Sequence, residues 1–215
     1  MSEELYKEMA QAVIDGEDGE AAALAQQALD QGIDPLEAIN KGFTAGMDVV
    51  GELYSTGEYF LPDLIMGGEA MKAALAVLEP VLKAAGQSRQ VLGKVVLGTV
   101  KGDIHEIGKS LVGSMLSANG FEVFDLGIDV ESETFVAKAH EYGADILALS
   151  ALLTTTMLRQ REVIEHLVES GLREQVQVMV GGSPVTQGWA DQIGADGFAE
   201  DAANAVVVAK RLMGV

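Results

Sequence analysis

The hydrophobic rhythm of this chain changes once, at the polar stretch Gly86-Gln87-Ser88-Arg89-Gln90. Before that stretch, apolar residues recur at helical spacing. After it, short apolar runs of strand length alternate with helical patterns. A chain that changes period in this way builds two different things: a helical bundle and a layered α/β sheet. The expected boundary places one domain at residues 1–88 and the other at 89–215.

In the first half, Asp34-Pro35 is a helix start, with a capping carboxylate followed by proline at the first helical position. From there Leu36, Ile39, Phe43, Met47, Val50 and Leu53 recur along one face, until Ser55-Thr56-Gly57 breaks the helix. Pro62 opens another that runs through Ile65, Met66, Met71, Leu75, Leu78 and Leu82. Two shorter helices are expected around Glu4–Ile14 and Glu20–Gln31, which makes four helices with short links and hence a small bundle.

The second half reads as five βα units. Its apolar runs are Val95–Val100, Phe121–Leu126, Ile146–Ser150, Val176–Val180 and a brief edge at Gly197-Phe198. Helical patterns follow at Glu106–Ala118, Glu131–Tyr142, Thr155–Ser170, Val185–Gln192 and Asp201–Leu212. This alternation implies a flavodoxin-like, doubly wound sheet. Forty-eight per cent hydrophobic content supports real cores across 215 residues, and with only 5% aromatic they lean on Ala, Val, Leu and Met. A net charge of −19 opposes binding to nucleic acid or anionic membranes, because phosphate contacts need a basic surface. Without cysteine there is no disulfide, thiolate metal site or cysteine nucleophile. No stretch is long enough for a membrane span, and Met1-Ser2-Glu3-Glu4 does not read as a signal peptide, so a cytoplasmic protein is expected.

Three loops that a doubly wound sheet brings to its carboxyl edge carry unusual residues. After the first strand comes Asp103-Ile104-His105-Glu106-Ile107-Gly108. An Asp two residues before a His is placed to orient the imidazole and raise its basicity, as carboxylates behind metal-bound histidines do. The third strand ends in Ser150-Ala151-Leu152, followed by Leu153-Thr154-Thr155-Thr156, and the fourth in Gly181-Gly182-Ser183. Open α/β sheets bind their ligands at this edge. Two neighbouring motifs do not hold. Gly102 to Gly108-Lys109-Ser110 has five residues between the glycines where a phosphate loop needs four, and His105-Glu106 lacks a second His at position 109.

Asp-x-His-x-x-Gly, then 41 residues (109–149), Ser-x-Leu, then 28 residues (153–180), and Gly-Gly resembles the signature of cobalamin-binding domains. Gly46-Met47-Asp48-Val49-Val50-Gly51 and Tyr59-Phe60-Leu61-Pro62 resemble the helical cap of the cobalamin module of methionine synthase. They are equally similar to the corrinoid proteins of methanol, methylamine and methoxyarene methyltransferase systems, and the resemblance spans essentially the whole chain. It implies a corrinoid cofactor with His105 as the lower axial cobalt ligand, Asp103 accepting its other N–H, and Ser150 hydrogen-bonded to Asp103. It also implies cofactor contacts from Gly102, Ile104, Glu106, Ile107, Gly108, Leu152, Thr154, Gly181 and Gly182. Tyr54, Leu61, Leu64 and Met66 would form an apolar lid over the upper face.

The function so implied is a methyl carrier, a subunit rather than a complete enzyme alone. A substrate-specific methyltransferase would load it, and a second methyltransferase would move the methyl group to an acceptor such as tetrahydrofolate or a thiol. A reductive activation protein would be the third partner. A cobalamin-dependent sensor is the alternative, but the only Trp is Trp189 and no His precedes His105 to cover an upper face. The small subunit of an adenosylcobalamin mutase shares Asp-x-His-x-x-Gly but lacks the helical cap, and a flavin-binding protein is the remaining reading.

Overall fold

The computed structural model describes residues 2–85 and 91–215, the Ser55 side chain aside; the connector 86–90 lies outside the described residues. The chain divides into two compact units, residues 1–90 and 91–215.

In the first unit, α1 (Ser2–Ile14) and α2 (Asp18–Asp30) are followed by one long rod and then by α5 (Leu61–Ala84). The rod is α3 (Pro35–Glu37), a π-helical turn (Ala38–Phe43) and α4 (Thr44–Thr56) in unbroken succession. It begins as the sequence implies. The Asp34 carboxylate accepts the Leu36 and Glu37 N–H groups at 2.9 and 3.2 Å, which satisfies two donors that an α-helix leaves without partners. Gly57, at φ +79°, ends it in the left-handed cap. Asp63 caps α5 by accepting the Phe60 N–H at 2.8 Å. Leu5, Met9, Ile39, Phe43, Met47, Val50, Met71, Leu75, Leu78 and Leu82 are buried, so the helical stripes face a core, except that Ile65 and Met66 near the start of α5 are exposed. The π turn was not legible in that periodicity, since a single wide turn leaves the apolar spacing nearly intact.

The second unit is a five-stranded parallel sheet of order β2-β1-β3-β4-β5. Its strands are β1 (Lys94–Thr99), β2 (Glu122–Asp125), β3 (Ile146–Ser150), β4 (Gln177–Gly181) and β5 (Gly197–Ala199). Helices α6 (Ile107–Ala118) and α10 (Ala202–Met213) pack together along one face. Helices α7 (Ser132–Tyr142), α8 (Leu158–Glu169) and α9 (Gln187–Ile193) cover the other. Strands covered on both faces must be apolar almost throughout, which is why Val95, Val96, Leu97, Ile146, Leu147, Val178 and Val180 are buried without alternation. Strand order reverses between β1 and β3, so the loops leaving their carboxyl ends turn away from each other and leave a crevice. Most boundaries lie within two residues of expectation, and the largest difference is at α8. Helix α8 starts at Leu158 rather than Thr155, because residues 152–157 fold back over the β1 loop.

Gly46 sits where α4 touches α1: a Cβ there would lie 2.4 Å from the Ala10 carbonyl oxygen. Gly51, one and a half turns on, has open space around the same position. Gly46→Ala should therefore lower unfolding stability by about 1–3 kcal/mol through overpacking. Gly51→Ala should raise it by about 0.5–1 kcal/mol through helix propensity alone. Denaturant unfolding followed by far-UV circular dichroism checks both.

Candidate functional site

The crevice between the β1 and β3 loops is organised around Asp103, which is completely buried. One carboxylate oxygen accepts the backbone N–H of His105 at 3.1 Å and pairs with the His105 ring Nδ1 at 2.6 Å. The other accepts the Leu152 N–H at 2.7 Å and the Thr156 hydroxyl at 2.6 Å. Burial alone would push the Asp103 carboxyl up, but the bonds from Thr156, His105 and Leu152 outweigh it and hold the pKa far below the usual carboxylate range. An ionised carboxylate can only accept, so the proton between Asp103 and His105 belongs to Nδ1, and in the neutral ring the lone pair is on Nε2. Among the described residues nothing bonds Nε2, and the His105 side chain is 46% exposed. The ring's backbone is fixed too, since the buried Thr99 hydroxyl donates to the His105 carbonyl at 2.9 Å.

Around this imidazole the surface is aliphatic where a solvated loop would be polar. Ile104 is 72% and Ile107 90% exposed, and Leu152 and Leu153 are exposed as well. Gly108 opens α6 with no atom near its missing Cβ, so the space beside it is free. Gly182, at φ +124°, lets the β4 loop run against the β3 loop, where a Cβ would collide with the Ala151 carbonyl. Thr154 and Glu106 are exposed beside these loops.

Ser150 does not have the partner expected for it. Among the described residues, the side-chain hydroxyl that bonds Asp103 is that of Thr156. Ser150 is the last residue of β3, in register with Gly181, and its carbonyl accepts the Val100 N–H at 3.0 Å. The chain returns over Asp103 only beyond that point, at residues 152–156. Hydroxyl-rich Thr154-Thr155-Thr156 was the available signal, but choosing among three threonines needs the loop path. Gln160 was missed altogether. Its buried amide donates to the Leu149 and Gly181 carbonyls at 3.0 and 3.1 Å and accepts the Trp189 indole N–H at 3.0 Å. It thus ties together the ends of β3 and β4, whose loops line the crevice. Lys109, buried at the start of α6, pairs with Asp125 at the end of β2. In the helical unit Tyr54 is half-buried, Leu61 and Met66 are exposed, and Leu64 is buried.

No group of three or more His, Asp or Glu side chains could cage a metal among the described residues. A single free imidazole nitrogen, backed by a buried carboxylate and ringed by aliphatic side chains, instead fits a metal that arrives in its own broad macrocycle. An open parallel sheet with such a group at its switch point suits a cobalamin-binding protein. The family model described as B12 binding domain matches residues 93–207, and a second of the same description matches residues 5–79. The chain belongs to this B12-binding family, and its cofactor is a corrinoid. It is 51% identical to a corrinoid protein of Desulfitobacterium hafniense (strain Y51), over 98% of both chains. It is 49% identical to trimethylamine corrinoid protein 1 of Methanosarcina acetivorans, over 95% of this chain and 94% of that one. A solved structure of the methanol:cobalamin methyltransferase complex MtaBC from Methanosarcina barkeri matches with a TM-score of 0.87 at 33% identity, covering 98% of this chain and 80% of that one. No helix of the described residues is long and apolar enough to cross a membrane.

Thr156→Val removes a donor from a buried charge and should cost about 1–3 kcal/mol of stability, while Thr156→Ser should restore most of it; urea unfolding of the two variants compares them. Because folding depresses the Asp103 pKa, its stabilisation is complete above the unfolded value of about 4 and fades as pH falls below it. The urea midpoint should therefore drop between pH 5 and pH 2, and the drop should be smaller in Asp103→Asn.

Proposed function

We propose that this chain is a methyl carrier, shuttling a methyl group on its corrinoid between two methyltransferases. The observation that carries the reading is the His105 imidazole, with Nδ1 held by a buried, ionised Asp103 and Nε2 free among exposed aliphatic side chains. A corrinoid supplies a cobalt centre that can take up and give up a methyl group. His105 would hold that metal through Nε2, and Asp103 fixes the ring's tautomer and direction. Leu152 and Thr156 keep Asp103 in place and charged. Wherever the metal did not engage Nε2, that nitrogen would be available for a proton, with Nδ1 still bonded to Asp103. Gly102, Ile104, Glu106, Ile107, Ser150 and Leu152 would border the cofactor, with Gly108, Thr154, Gly181 and Gly182 beside its nucleotide tail.

Relatives of nearly full length are named for trimethylamine and dimethylamine, and the solved complex for methanol. These names support a small methylated amine or alcohol as the ultimate donor. One partner would be the methyltransferase that recognises this donor. The others would be an acceptor methyltransferase, acting on tetrahydrofolate or a thiol, and a reductive activation protein. The chain's negative charge suits partners with basic faces. His105→Ala and His105→Gly, reconstituted with hydroxocobalamin, should retain corrinoid but lose the ultraviolet–visible signature of imidazole-ligated cobalt. A spectrum identical to wild type would remove His105 from the metal, and a wild-type chain that holds no corrinoid would end the carrier reading.

A further inference from the structure

We propose that Asp129 is a positioning residue for the cobalt ligand, clamping from outside the turn that carries Asp103 and so fixing where the His105 imidazole stands. The inference rests on the reading of His105 as that ligand. Asp129 lies in the loop after β2, two elements away in sequence, and it is the only residue other than glycine at positive φ among the described residues, at +55°. Its carboxylate accepts the Gly102 N–H at 2.8 Å, and its own N–H donates to the Asp103 carbonyl at 3.0 Å. The two bonds grip the main chain on either side of the Gly102–Asp103 peptide.

The gripped segment is a tight turn. The Asp103 N–H bonds back to the Val100 carbonyl at 3.1 Å, and Gly102 takes φ +80° in the position of such a turn that needs it. A turn closed by a single bond can rock, and any rocking at Asp103 is transmitted through its 2.6 Å contact to the His105 ring. Neighbouring bonds prevent slippage of the clamp itself. Val130 N–H donates to Thr99 at 3.0 Å, and Lys101 Nζ lies 3.3 Å from Asp129 and 2.9 Å from Glu131.

The choice of residue points the same way. Two positions earlier in this loop, Gly127 meets a positive φ of +83° with glycine, the residue that adopts it without strain. At 129 an aspartate stands in the left-handed region, which costs a side-chain-bearing residue more than glycine. Strain of this kind persists where surrounding bonds over-determine it. Here the carboxylate itself makes the bond that holds the turn.

The test uses the full chain reconstituted with aquacobinamide, a corrinoid that has no nucleotide base of its own, and reduced to cobalt(II), whose electron paramagnetic resonance signal then carries nitrogen hyperfine splitting when a protein imidazole is bound. Wild type, Asp129→Gly, Asp129→Asn and His105→Gly are compared. Glycine keeps the backbone conformation and removes the acceptor; asparagine tolerates the conformation and retains an acceptor oxygen. Asp129→Gly should lower the ratio of imidazole-bound to imidazole-free cobalt about fivefold, the loss expected from one hydrogen bond. Asp129→Asn should stay within about twofold of wild type. An Asp129→Gly ratio equal to wild type, with the splitting lost in His105→Gly, overturns the clamp and leaves His105 as the ligand. Splitting that survives in His105→Gly overturns both. Equal losses in the glycine and asparagine variants also count against the clamp, since they would tie the effect to charge rather than to the hydrogen bond.

Discussion

Burying an ionised carboxylate costs several kcal/mol unless hydrogen bonds replace its water, and the Asp103 carboxylate is the place where this unit meets that demand. Four donors converge on its two oxygens, from its own loop at His105 and from the β3 loop at Leu152 and Thr156. Each donor is thereby fixed in space. Two loops that share no regular structure are joined at a point, and the imidazole inherits its direction and tautomer from the join. The charge also accounts for the free Nε2: an acceptor-only neighbour at Nδ1 leaves the other nitrogen as the basic one.

The sheet supplies what this carboxylate requires. With β1 between β2 and β3 and the order reversed between β1 and β3, the two loops leave a crevice that neither strand can fill. Rigid anchors stand around it: Gln160 bridging the ends of β3 and β4, Lys109 paired with Asp125, and Thr99 holding the His105 carbonyl. The exposed isoleucines at 104 and 107 gain nothing from water, and they make sense only against a ligand with a broad apolar face. In the helical unit, by contrast, the close approach of α1 to α4 at Gly46 makes one well-packed bundle whose exposed apolar side chains include Leu61 and Met66.

Much of this was legible in the residues. Asp103 and His105 stand two apart at the end of a buried strand, and a motif that compact has its geometry dictated locally. The Asp34 cap and the Gly57 stop were readable for the same reason. Ser150 and Thr156 mark the limit. Both carry hydroxyls, one at the end of β3 and one in the loop six positions on, and which one reaches Asp103 depends on where the loop turns back. Asp129 was invisible for a related reason. Its partners are main-chain groups of another loop, and main-chain groups carry no sequence signal.

By itself, then, the amino-acid order determined the two-part architecture, the parallel sheet, the switch-point loop and the identity of the free imidazole. Those features follow from hydrophobic period and short-range spacing, which are properties of neighbours along the chain. Only the tertiary structure decided which hydroxyl holds Asp103, that Gln160 and Lys109 are buried beneath the site, and that Asp129 sits in a strained conformation against the His105 turn. Those depend on residues 11 to 53 positions apart meeting around the sheet edge, and the path of a loop in space is set by the packing of the elements it joins.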